Sequence, residues 1–77
     1  MLQVNFIQCM ELQGTMCLQL EGESMSDVCK FADALEKIGH EVLLIQHLYH
    51  LKVYHVIVRQ DSKVTKEQLL NDIHKII

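Results

Sequence analysis

The 77 residues, 1–77, make one domain, and a domain of that size buries only about 60% of its unfolded surface, which leaves it marginal without help. A hydrophobic share of 49% with only 5% aromatic is more aliphatic material than one small core needs, and the surplus points to a subunit interface. Seven Lys and Arg against ten Asp and Glu, a formal charge of −3, provide no basic stripe for nucleic acid, and no apolar run approaches the ~20 residues of a membrane span.

The opening MLQVNFIQ lacks the positive region and apolar core of a signal peptide, so a cytoplasmic protein is expected. Three cysteines, an odd number, fit free thiols in a reducing compartment better than a disulfide framework.

Leu2, Val4, Phe6, Met10 and Leu12 occupy even positions, with Gln3, Asn5 and Glu11 at odd ones, the alternation of a half-buried strand. Met16, Leu18 and Leu20 continue it in a second strand, and Gln13-Gly14 between the two runs predicts a hairpin. A three-residue loop Leu12-Gln13-Gly14, with Gly14 left-handed, places Glu11 opposite Thr15, Met10 opposite Met16 and Cys9 opposite Cys17. Both thiols would then face away from the even, buried side.

Gly22 ends the second strand, and Ser24-Met25-Ser26-Asp27 is a box that opens helices. Val28, Phe31, Ala32, Leu35 and Ile38 recur at helical spacing until Gly39, a C-terminal cap. Cys29, on the flank of this stripe, is expected to be a small buried hydrophobe.

The stretch from His40 to Arg59 carries four of the five histidines. Val42-Leu43-Leu44-Ile45 is apolar at consecutive positions, as in a strand covered on both faces, and Val53 to Val58 is β-branched and aromatic. A turn must fall near Tyr49 to Lys52, although no preferred turn former stands there. Asp61-Ser62-Lys63 is a polar loop, and Thr65-Lys66-Glu67-Gln68 a second capping box, with Val64 set to staple onto Leu69. Leu69, Leu70, Ile73, Ile76 and Ile77 form the apolar stripe of a helix running to the end.

The order ββαββα predicts an α+β two-layer sandwich, a four-stranded antiparallel sheet with two helices on one face. Moving the first strand to the end would give the β-α-β-β-α-β order of ferredoxin-like folds, so a permuted relative of that architecture is expected.

Two helices cover one sheet face, and the other then exposes branched aliphatics. The expected interface is Leu43, Ile45, His47, Val53, His55 and Ile57. A loop at His50-Leu51-Lys52 would set His47 opposite His55, and with Cys9 and Cys17 on the same face these four are candidate ligands of a Cys2His2 metal site. Catalytic signatures are absent: no Gly-rich phosphate loop, no Gly-x-Ser-x-Gly, no His-Glu-x-x-His, and acidic residues mainly on helix exteriors or caps. The expectation is a non-enzymatic interaction module without cofactor, a homodimer or an accessory or inhibitory regulatory subunit binding a larger protein. The alternative is a small-molecule or metal-sensing regulatory domain built on the His and Cys side chains.

Overall fold

Alternating and helical patterns resolve, in a computed structural model describing residues 2–61 and 63–77, into six elements. They are β1 (Val4–Leu12), β2 (Thr15–Gly22), α1 (Met25–Ile38), β3 (Val42–Leu48), β4 (Val53–Arg59) and α2 (Lys66–Ile76). The middle residue of the expected Asp61-Ser62-Lys63 loop lies outside the described residues.

Both helices begin where the capping boxes stand. Ser24 Oγ accepts from the Asp27 amide at 3.3 Å and Thr65 Oγ1 from the Gln68 amide at 3.1 Å, each satisfying one donor that the first helical turn leaves without a partner. Gly39, at φ 121°, closes α1 by donating its amide to the carbonyls of Leu35 and Glu36, a backbone shape that a Cβ would strain.

The strands form one antiparallel sheet in the order β1-β2-β4-β3, with α1 and α2 together on one face. Phe31, Leu35, Leu69 and Ile73 of the helices are fully buried against Met16, Leu18, Leu20, Val56 and Val58 of the central strands. Each such side chain contributes about 1.5–3 kcal/mol by leaving water. The two-layer ββαββα architecture is therefore the one the patterning predicts; the ferredoxin-like likeness is one of element order. Among the described residues no helix is long and apolar enough to cross a membrane.

The structure corrects four expectations. The first hairpin has a two-residue turn, Gln13-Gly14, with Leu12 opposite Thr15, so Met10 faces Cys17 and Cys9 faces Leu18. The pairing parity changes because β1 has a bulge: Phe6 pairs with Leu20 but Gln8 with Gln19, leaving Ile7 as an extra residue. Beyond Ile7 the inward side switches from even to odd, which turns Cys9 into the core and Met10 and Leu12 out of it. A second bulge interrupts β3 at Leu43, so Val42 and Ile45 both pack on the core while Leu44 points away. On α1, Cys29 and Ile38 are exposed, because the buried stripe is confined to Val28, Phe31, Ala32 and Leu35.

If Ile7 is only the extra residue of a bulge, a chain lacking it keeps the pairing on both sides, Phe6 with Leu20 and Gln8 with Gln19. We expect that deletion to fold, with cross-strand nuclear Overhauser contacts between Met10 and Cys17 retained. Their loss would show that Ile7 sets the register.

Candidate functional site on the uncovered sheet face

The face turned away from the helices is built by cross-strand registry. Reading from β1 to β3, one row is Met10, Cys17, Ile57, Leu44, and the next is Gln8, Gln19, His55, Gln46. Beyond the polar row, Val53 and Leu48 oppose each other, and at the other end Arg59 stands beside Thr15. Cys17 and Val53 are 3% and 6% exposed yet belong to no helix-side core cluster: their larger neighbours shield them. Leu44, at the edge, is 53% exposed. The polar row is tied by Gln8 Nε2 donating to Gln19 Oε1 at 2.6 Å.

Charge is sparse on this face. Arg59 donates to the Glu41 carboxylate at one corner, and Glu21 stands on the same side of β2 at the opposite end. The Arg59–Glu41 pair is exposed and adds little stability.

Of the residues expected at an interface, Val53, His55 and Ile57 share this face, and Leu43 is the exposed extra residue of the β3 edge. Ile45 and His47 do not belong to it. The β3–β4 turn spans four residues, Tyr49–Lys52, so Leu48 opposes Val53 and Gln46 opposes His55. That one-residue difference from the expected loop sends Ile45 to the core and stacks His47 on Tyr54, ring centroids 4.2 Å apart, on the helix side. The same registry dissolves the Cys2His2 arrangement: Cys9 and His47 lie on the inner face and Cys17 and His55 on the outer. Among the described residues no group of three or more His, Cys, Asp or Glu could hold a metal ion.

Two features escaped the sequence reasoning. His40 Nε2 lies 2.8 Å from Asp72 Oδ2 in a buried pair that joins the start of β3 to α2, and His40 Nδ1 is buried with no partner among the described residues. The signal was an Asp at position 72 within the apolar stripe Leu69, Ile73, Ile76, on the side of α2 that packs on the core. Removing either partner would strand a buried polar group, at a cost of roughly 1–3 kcal/mol. The second is the shape of the β3–β4 turn, which stands where a turn was expected, at Tyr49–Lys52: Lys52 adopts φ 56°, and Tyr49 and Leu51 are 76% and 66% exposed. A non-glycine residue there is strained by about 1–2 kcal/mol.

No family model, curated protein or solved structure matches this chain.

The thiols differ sharply. Burial pushes the Cys9 thiol up, opposed by the Lys66 ammonium, and burial likewise raises Cys17, whereas Cys29 is exposed. A raised folded-state value keeps the neutral thiol bound to its proton, so the contribution is present below the ordinary thiol range and lost as pH rises through the folded-state value. At mildly alkaline pH we expect one thiol per chain to react quickly with iodoacetamide, at Cys29 by peptide mapping, and all three only in denaturant. Fast modification of Cys17 in the native protein would contradict its shielding on the outer face.

Proposed function

We propose that this chain is a non-enzymatic interaction module that associates with a second copy of itself through the uncovered sheet face. The observation that carries it is the apolar row Met10, Cys17, Ile57, Leu44, continued by Val53 and Leu48 beyond one polar row, on a side that no helix covers. An antiparallel sheet with one face in water alternates apolar-in and polar-out, and this sheet departs from that pattern in its central strands. Small domains that cannot build a sufficient core commonly gain the remainder by association.

The edges support a face rather than an edge as the contact. Both edge strands are bulged, at Ile7 and at Leu43, and bulges blunt the strand-to-strand pairing that a straight edge invites. Free thiols suit a cytoplasmic setting, where we place the protein. A regulatory or inhibitory role toward a larger protein would use the same face.

Sedimentation equilibrium tests this. The wild-type chain should approach twice its 9.0 kDa mass, and Ile57→Lys should weaken the dimer on the order of 100-fold by placing an ammonium in the apolar contact. Ile57 is only half-buried and lies outside the core, so the variant should keep its circular dichroism spectrum, and its monomer should lose less than about 1 kcal/mol of stability beyond the lost association. A wild-type monomer at all concentrations would overturn the proposal.

A further inference from the structure

Resting on that association, the row pattern of the face also assigns how the two copies meet. We infer that the second copy docks face to face about a two-fold axis parallel to the strands, running between β2 and β4. A rotation about that axis keeps every row at its own height and reverses its order, so each row meets itself. Cys17 then faces the partner's Ile57, and Met10 faces the partner's Leu44, which sets a small side chain against a large one and apolar atoms against apolar atoms. In the next row Gln19 faces the partner's His55 and Gln8 the partner's Gln46, amides and imidazoles that hold both donors and acceptors.

The other in-plane axis, perpendicular to the strands, exchanges rows between the two ends. Placed midway, it lays the Gln8, Gln19, His55, Gln46 row on the partner's apolar row and leaves buried amides without partners. Charge is compatible with the parallel axis, although it does not distinguish the two. Arg59 faces the partner's Thr15 and Glu21 faces the partner's Val53, so no like charges oppose each other, while the remaining acidic and basic residues sit on the helix layer and the sheet ends.

The area is also adequate. Strands ~4.8 Å apart with ~3.3 Å per residue make a plate on the order of 500 Å² in projection per copy, so the pair is near the roughly 1,000 Å² that separates specific contacts from incidental ones. A dimer of this size dissociates measurably. Because packed sheets cross at about 30°, registry is closest near the axis, at Cys17, Ile57, Gln19 and His55, and loosens toward the edges.

The test is intermolecular paramagnetic broadening. A nitroxide is attached at Gln46→Cys in a Cys29→Ser chain, dimerisation of the labelled chain is checked by sedimentation, and it is mixed with isotope-labelled wild-type chain. The parallel axis predicts broadening of the partner's β1 amides around Gln8, and a label at Gln8→Cys should reciprocally broaden β3 around Gln46. If dimers form and the label at 46 instead broadens β3, the helices or nothing, this geometry is overturned while association stands. If the wild-type chain sediments as a monomer, the association itself fails and the geometry with it.

Discussion

Two unpaired residues govern which side chains this sheet hides. A strand alternates with a period of two, so one extra residue exchanges its inner and outer faces from that point on, and Ile7 and Leu43 each do this in an edge strand. The central strands β2 and β4 have no such interruption and pair in continuous register from Thr15 opposite Arg59 to Leu20 opposite Tyr54. The core is built on that uninterrupted pair. The bulged edges adapt to it, sending Cys9 inward while Met10 and Leu44 come to lie in one apolar row on the outer face. The same two residues thus complete the core, shape the outer face and blunt both edges.

This explains where sequence reasoning succeeded. Helix boundaries were legible because Ser24, Gly39 and Thr65 announce themselves chemically, and the architecture was legible because apolar spacing changes from two to roughly four at those caps. Facing in β2 was legible as well, since Met16, Leu18 and Leu20 alternate with Thr15, Gln19 and Glu21, whereas in β4 the consecutive apolar residues Val56, Ile57 and Val58 suit either face. Facing in β1 and β3 was not, because a bulge leaves no composition signal: Ile7 and Leu43 are ordinary strand residues. The turn at Tyr49–Lys52 was expected in its place, but the pairing across it was obscure for a related reason. It places Lys52 in a left-handed conformation with no Gly, Asn or Asp to advertise it, and one residue of uncertainty there was enough to misassign Ile45 and His47.

The buried His40–Asp72 pair shows the opposite case, a signal present but weighed wrongly. An acidic residue at helical spacing between Leu69 and Ile76 is more than a solvated charge, since its carboxylate must find a donor, and the histidine just past the α1 cap supplies it. The pair fastens α2 to the entry of β3 and thereby helps keep both helices on one face. That leaves the other face uncovered, with shielded Cys17 and Val53 among half-exposed aliphatics.

If a second copy covers this face, its association contributes to folding, and the dimer must be more stable at higher concentration. The most direct measurement is the thermal unfolding midpoint of the wild-type chain across a hundredfold range of concentration. A midpoint that rises steadily with concentration is expected, and one that does not move would show that no second copy stabilises this fold.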